Sequence, residues 1–450
     1  MAKYDYDILI IGGGPGGYVA GSYATQFGKR VAVIEKGLIG GCCLNVGCIP
    51  TKTILEAAMR YTHATGSSDY GINSQVTFDW KKLQAYSEKI RADLRKGVNS
   101  LLQSRKCDLI HGEAAFVHEH DVKVGDKIIT SENIIVATGA LPIIPGKFSK
   151  IQNVITSDSF WDIEIQPKTM VIVGGGVIGC EIASALCRLG TKVTIIEQMP
   201  EILPQFDTDA VKLLRSELES RNVEIFCGAA VSDVKQEADG LIVSFADRKV
   251  QCEYVMWATG RKPVTPDMGP VNLNFTNRGF IEVDSNYRTN IENIYCIGDA
   301  NGRSMLAHAA ISQAMLVINH ICTDNPVIAD PCVPQTVFTY PSIARLGLTE
   351  EESKDRNIAV GKAPYAVVGY SHVIESKTGY FKVLRDIETD TLIGAEIVGY
   401  NACELIQILS PYINNKIKVG MFADLMFAHP TLSEGIKLAI EASYTRSPQV

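Results

Sequence analysis

The chain has 450 residues, 46% of them hydrophobic and 21% charged, which is too long for one ordinary domain and lacks the bias of a disordered or collagenous chain. Lys and Arg number 43 against 50 Asp and Glu, a net charge of −7, and no basic run could track phosphates, so the expectation is no nucleic-acid partner. The apolar runs are too short for a bilayer, no secretory leader precedes the first strand, and Cys107, Cys187, Cys227, Cys296 and Cys322 stand alone in apolar segments, so a cytoplasmic protein is expected, or a matrix protein whose presequence is gone.

In chain order, Leu9 to Lys36 predicts a short apolar strand, a glycine turn, a helix ending at Gly28 and a second β-branched strand ending at Glu35. Gly12, Gly14 and Gly17 form G-x-G-x-x-G directly after the first strand, and Glu35 follows the first glycine by 23 residues. The first glycine makes the tight turn, the second lets a pyrophosphate approach the backbone, and the third lets helix pack on strand. The helix N-terminus then faces the phosphates.

Next comes Gly40-Gly41-Cys42-Cys43-Leu44-Asn45-Val46-Gly47-Cys48-Ile49-Pro50-Thr51-Lys52, opening an amphipathic helical stretch. In a regular helix residues five apart are about 7.5 Å apart along the axis, beyond the usual reach of about 6.8 Å between bridged Cα atoms. A bond between Cys43 and Cys48 therefore needs a distorted turn, which Gly47 and Pro50 can supply. A helix N-terminus would also lower a thiol pKa. Zinc is the competing reading of two close cysteines, but no second Cys/His pair at ligand spacing accompanies them. Cys42 adjoins Cys43 and could compete for it; the expectation is a bystander.

Val171 to Gln198 repeats the first βαβ unit at a constant offset of 162, with Gly174, Gly176, Gly179 and Glu197 in the matching places. Two dinucleotides are implied. Glu197 suits ribose hydroxyls and repels a 2′-phosphate, and the next arginine, Arg215, stands too far along the chain to sit beside that phosphate, so the second site is expected to prefer NAD. A shorter match joins Val136 to Ala140, with Thr138 and Gly139, to Trp257 to Arg261, with Gly260. The prolines between Leu141 and Pro167 and between Pro263 and Pro270 mark two crossings, and beyond Pro326, Pro331 and Pro334 alternating strands followed by helices predict a separate α+β domain. The fold class expected is α/β: two Rossmann-like dinucleotide-binding domains and a C-terminal α+β domain. The boundaries are 1–144, 145–271, a return to the first domain over 272–332, and 333–450.

These motifs together resemble the flavoprotein disulfide reductases, or pyridine nucleotide-disulfide oxidoreductases, and most closely their dihydrolipoamide dehydrogenase branch, over essentially the whole chain. GGCCLNVGCIPTK is similar to the family's redox-disulfide signature, departing from it at Cys42, where threonine is usual, and at Thr51, where serine is common. Thr289 to Asp299 resembles its second flavin motif, in which Asp299 would bond the ribityl chain, and Leu306 to Ala310, with Ala307, follows in the branch's form. His429-Pro430-Thr431-Leu432-Ser433-Glu434 matches the segment that supplies an acid/base histidine and its orienting carboxylate. Phe427 stands where the branch often has histidine.

The resemblance implies FAD in the first unit and NAD in the second, a Cys43/Cys48 redox disulfide, and Lys52 and Glu181 meeting beside the flavin. It also implies a homodimer in which His429 reaches the other subunit's disulfide. The activity implied is oxidation of dihydrolipoamide carried by a lipoylated acyltransferase of a 2-oxo-acid dehydrogenase complex or by the lipoylated glycine-cleavage carrier. The alternatives are another family member such as a glutathione or mercuric reductase, or a chiefly docking subunit of a multienzyme assembly. A glutathione reductase would want arginines in place of Glu197, and a mercuric reductase an extra C-terminal cysteine pair, which Glu441 to Val450 lacks. No metal is expected.

Overall fold

The structure is a computed structural model that describes residues 3–323, 331–423 and 425–444; Pro326, at the predicted change of pattern, lies outside the described residues. The first βαβ unit forms as β1 (Tyr6–Ile11), α1 (Pro15–Ala24) and β2 (Val31–Glu35). Two short helices or helical starts then carry the cysteine block, α2 (Gly41–Asn45) and α3 (Cys48–Thr65), followed by the long α4 (Trp80–Ser104). Strands β3 (Asp108–His111), β4 (Ala114–His118), β5 (Asp121–Val124) and β6 (Lys127–Val136) complete the first pass. Their order is β3-β2-β1-β6-β5-β4. The β3, β2, β1 and β6 strands are parallel, whereas β5 and β4 add antiparallel strands. Ile8 to Ile11 of β1 form an unbroken apolar run because both faces of the strand are covered there.

The chain then crosses through β7 (Ala140–Pro142) and β8 (Val154–Thr156) to the second unit: β9 (Thr169–Val173), α5 (Val177–Arg188), β10 (Lys192–Ile196), α6 (Thr208–Ser220) and β11 (Glu224–Phe226). A three-stranded antiparallel meander, β12 to β14 (Val231–Glu237, Gly240–Phe245, Arg248–Cys252), precedes β15 (Tyr254–Trp257). The second sheet, β11-β10-β9-β15-β8, is wholly parallel. β16 (Arg261–Pro263) pairs antiparallel with β7, so the chain returns beside the strand through which it left. β17 (Ile294–Cys296) rejoins the first sheet parallel to β6, and α7 (Ala307–Thr323) packs against α1.

The C-terminal part is an antiparallel sheet, β18-β19-β22-β21-β20, from Gln335–Val337, Ser342–Gly347, Thr391–Gly399, Tyr380–Asp386 and Ile358–Pro364, with the helix Glu434–Ala442 following. One apolar cluster joins the parts: Ile54, Leu55 and Ala58 of α3 share a core with Ile182, Ala183 and Leu186 of α5 and with Val337, Ile343 and Val398. The helix that carries Cys48 is thereby fixed against the second unit. Among the described residues no helix is long and apolar enough to cross a membrane, and no group of three metal-ligating side chains converges.

Candidate active site

Each glycine turn sits at the topological switch point of its sheet, where the neighbours of the central strand run off in opposite directions. The three glycines of each motif meet three different spaces. A Cβ on Gly12 would lie 2.3 Å from the Ala137 carbonyl oxygen, and one on Gly17 1.8 Å from that of Gly12. The copies agree: Gly174 against Ala258 at 2.5 Å and Gly179 against Gly174 at 2.0 Å. The middle glycines face open room: beside Gly14 the nearest atom is Gly41 Cα at 3.9 Å, and Gly176 has nothing within 4 Å. Both also cap α1 and α5 without a side-chain acceptor, leaving backbone N–H groups at the helix start. A pyrophosphate fits this arrangement at both cradles.

Glu35 accepts hydrogen bonds from the Gly13 N–H and the Gly37 N–H, each at 2.7 Å, and Glu197 accepts from Gly175 at 2.5 Å and Met199 at 2.7 Å. Each carboxylate therefore braces its own turn, and each oxygen keeps a second lone pair for a ribose hydroxyl. Gly139 and Gly260 adopt positive φ (73° and 132°), while the Thr138 hydroxyl donates to the Val264 carbonyl. Asp299 lies in a short turn, and burial raises its carboxyl pKa against the pull of Arg261. Gln313, which has no sequence signature, fixes that turn by accepting from the Gly298 N–H at 2.7 Å and from Asn301 at 3.0 Å. Ala307 opens α7.

The cysteine block breaks where its glycine and proline predict. α2 ends at Asn45, Val46 and Gly47 leave helical geometry (φ −138°, ψ 1°; φ −114°, ψ −108°), and Cys48 starts α3. A Cβ on Gly47 would lie 3.2 Å from Cys43 Cα, so glycine permits the two cysteines to close up. Asn45 pins the loop by donating to the Ile39 and Gly41 carbonyls at 3.1 and 2.9 Å, while Arg91 and Trp161 donate to the Asn45 and Val46 carbonyls at 2.8 and 2.9 Å.

As free thiols the two sulfurs are unequal. The hydrogen bond from Cys43 lowers the Cys48 pKa to about 7, with the Lys52 charge assisting against burial. The same bond, together with burial, pushes Cys43 up, so it is the protonated partner. Lys52 Nζ bonds both oxygens of Glu181 at 2.9 and 2.8 Å and lies 4.4 Å above the Phe338 ring, and the Phe338 N–H donates to Glu181 at 2.9 Å. Glu181 is 3% exposed, which a solvated helix residue would not be.

Cys42 is no bystander in its contacts. Arg261 Nη2 donates to its sulfur at 3.3 Å and to the Ala140 carbonyl at 2.6 Å, and Nη1 pairs with Asp158 at 3.3 Å. Burial raises the Cys42 pKa to about 12 despite that cation, so this thiol stays protonated beside the ionisable pair. Arg261 and Asp158 lie far from Cys42 in sequence; the pairing of β16 with β7 places Arg261, and that of β8 with β15 places Asp158 beside it.

His429 Nδ1 lies 2.9 Å from Glu434 Oε1, and the other oxygen accepts the Thr431 N–H at 2.9 Å. The Thr431 bond first, then the His429 bond, lower the Glu434 pKa. The ring is 77% exposed, and among the described residues its hydrogen bond goes to Glu434 and not to the cysteines of its own chain. Phe427 stacks on Phe422 at 5.4 Å between ring centres, which an imidazole would do less well.

The architecture agrees with that of known proteins. The family described as pyridine nucleotide-disulphide oxidoreductase matches residues 6–314, and its dimerisation domain matches 333–440, which supports a homodimer. The dihydrolipoyl dehydrogenase of Bacillus subtilis (strain 168) is 36% identical over 442 residues, covering 95% of this chain and 94% of that protein. The dihydrolipoyl dehydrogenase of Geobacillus stearothermophilus is 35% identical, covering 97% and 95%. Among solved structures, LpdA of Mycobacterium tuberculosis aligns with a TM-score of 0.90 at 26% identity over 97% of this chain and 98% of that one. The HOCl-induced flavoprotein disulfide reductase RclA of Escherichia coli aligns with a TM-score of 0.88 at 26% identity, covering 97% and 99%. The chain therefore belongs to the pyridine nucleotide-disulphide oxidoreductase family: it is an oxidoreductase whose cofactors are FAD and NAD.

Proposed function

We propose that the enzyme oxidises protein-bound dihydrolipoamide to lipoamide with NAD⁺, using Cys43 and Cys48 as its redox pair. The observation that carries this reading is the approach of Cys43 and Cys48 across the helix break at Gly47, with Lys52, bound to the buried Glu181, one turn beyond Cys48; the hydrogen bond between the sulfurs makes Cys48 the more acidic of the two. His429, held by Glu434, takes a proton from one substrate thiol. The resulting thiolate attacks Cys43 of the oxidised pair, forming a mixed disulfide and releasing Cys48 as a thiolate. Lys52 stabilises that charge. The second substrate thiol then attacks the substrate sulfur of the mixed disulfide, its proton passing to Cys43, which leaves as a thiol; the product departs as the cyclic disulfide, and His429 gives up the proton it took to solvent. FAD, held at the first cradle by the Gly12–Gly17 turn, Glu35 and Asp299, supplies the two-electron link between the dithiol and a nicotinamide nucleotide at the second cradle.

The His429 acting on a given dithiol comes from the other subunit, in keeping with its exposure and with a hydrogen bond that goes to Glu434. The substrate carrier is a lipoylated acyltransferase of a 2-oxo-acid dehydrogenase complex or the glycine-cleavage carrier, and the setting is the cytoplasm or an organellar matrix. The sequence identities with dihydrolipoyl dehydrogenases support the substrate.

A second reading, an NADH-dependent reductase for a different disulfide, is favoured by Phe427, which packs on Phe422 where the dihydrolipoamide dehydrogenase branch often has histidine, and by the likeness to RclA. The two part in one experiment. The purified FAD-loaded protein is given dihydrolipoamide and NAD⁺, beside NADPH with glutathione disulfide. NADH formation confined to the first mixture is the result expected. Silence there from a protein whose Cys43/Cys48 pair is still reducible by NADH would discard the lipoamide substrate and favour the second reading.

A further inference from the structure

Arg215 stands 18 residues after Glu197, and sequence spacing alone sets it apart from the second cradle. The fold does the opposite. β11 returns beside β10, so Glu197 N–H donates to the Phe226 carbonyl at 2.8 Å, Gly228 N–H to Met199 at 2.8 Å and Ala229 N–H to Glu197 at 3.0 Å. Cys227 therefore lies against the acidic end of the nucleotide turn. Arg215, on α6, reaches into that corner. Its Nη1 is 2.6 Å from Glu201 Oε1 and 3.5 Å from the Cys227 sulfur, Nη2 donates to the Ile225 carbonyl at 3.4 Å, and Nε is 2.9 Å from Glu219. The loop carrying Glu201 is tied to the cradle, because the Leu203 N–H donates to the Gly175 carbonyl at 3.0 Å.

Arg215 and Glu201 keep 26% and 41% of their side-chain surface exposed, so this corner is open to a ligand that ends beside Glu197. A 2′-phosphate arriving there would meet two carboxylates, Glu197 and Glu201, and an arginine whose inner face is already occupied. A ribose with a free 2′-hydroxyl would meet only the lone pairs of Glu197.

We propose that the Glu201–Arg215 ion pair is a specificity determinant of the second cradle: Glu201 masks a cation that would otherwise accept a 2′-phosphate. The inference rests on the reading that this cradle takes the adenosine end of NAD. Arginine is the side chain suited to a phosphate, by its fork of donors. What keeps it from that role here is its partner, not its position.

The test uses the FAD-loaded dimer and two unreactive probes, 5′-AMP and 2′,5′-ADP, with affinities measured by calorimetry. The native protein is expected to bind 5′-AMP in preference. E201Q is expected to tighten 2′,5′-ADP about fivefold, the order of a single ion-pair term, while 5′-AMP stays within twofold. E201Q/R215M is expected to lose the gain, and E201Q/R215K, which keeps the charge and guards against a merely loosened α6, to retain part of it. An unchanged ratio of the two affinities in E201Q would overturn the inference. So would a full gain that survives R215M, since relief of repulsion alone would then explain it. A native protein that binds neither probe while NADH still reduces it would overturn the reading of the cradle, and the inference with it.

Discussion

Cys48 and Lys52 are separated by one helical turn, and that spacing puts an ammonium over the thiol from the same face of α3. A thiol whose folded pKa falls from 9.0 to about 7 ionises as the pH rises through neutrality, two units before an ordinary cysteine does. In the reduced protein, alkylation of Cys48 should therefore rise with pH around a midpoint near 7, followed by mass spectrometry of its peptide. Because the Lys52 charge is one of the lowering causes, K52M should carry the midpoint upward toward the ordinary thiol range; an unmoved midpoint would show that hydrogen bonding, from Cys43 first, sets the acidity without Lys52. At this scale the sequence was informative about identity and silent about state. It marked Cys43, Cys48, Lys52, His429 and Glu434, but which of the two sulfurs carries the charge depends on a hydrogen bond between them.

The two βαβ units test each other at the scale of the element. Their glycines repeat in sequence because the same three close approaches recur in space, so the same substitution should injure each unit in its own way. Gly17→Ala places a methyl 1.8 Å from the Gly12 oxygen and Gly179→Ala places one 2.0 Å from that of Gly174. G17A should emerge without the yellow flavin absorbance, and G179A should keep the flavin yet lose reduction by NADH, by at least about tenfold for a displaced turn. Visible spectra and stopped-flow reduction separate the two, and a G179A protein reduced at the native rate would remove the second cradle from the electron path. The units were legible from sequence because strand, turn and helix are short-range patterns. The Arg261–Asp158–Cys42 cluster was not, since it is assembled by β16 returning to β7 across more than a hundred residues.

For the whole molecule, the exposed His429 and the half-buried dithiol raise the question of which chain completes which site. If each site is shared across a homodimer, C48S and H429Q homodimers should both be inactive with dihydrolipoamide, the latter by about 10²- to 10⁴-fold, the usual cost of losing an acid/base group. A co-expressed, tag-purified heterodimer of the two would contain one native site, formed by the cysteines of one chain and the histidine of the other. It should recover about half the native turnover by the logic of one intact site in two. A heterodimer as inactive as its parents would show that His429 serves its own chain.

The two nucleotide turns and the helix break at the cysteine block were legible in the chain alone, because each is written within a few dozen residues and obeys local rules of backbone geometry; the redox role of the cysteines and the His429–Glu434 and Lys52–Glu181 pairs were legible through the family resemblance. The tertiary structure settled the partners of Cys42, the bracing of the Asp299 turn by Gln313 through Gly298 and Asn301, and the placing of Arg215 against the nucleotide turn. Those contacts join elements far apart in the chain. Their existence follows from how sheets stack and strands return, which a local pattern does not encode, and from the low-dielectric interior in which a few ångströms decide whether a thiol or a carboxyl keeps its charge.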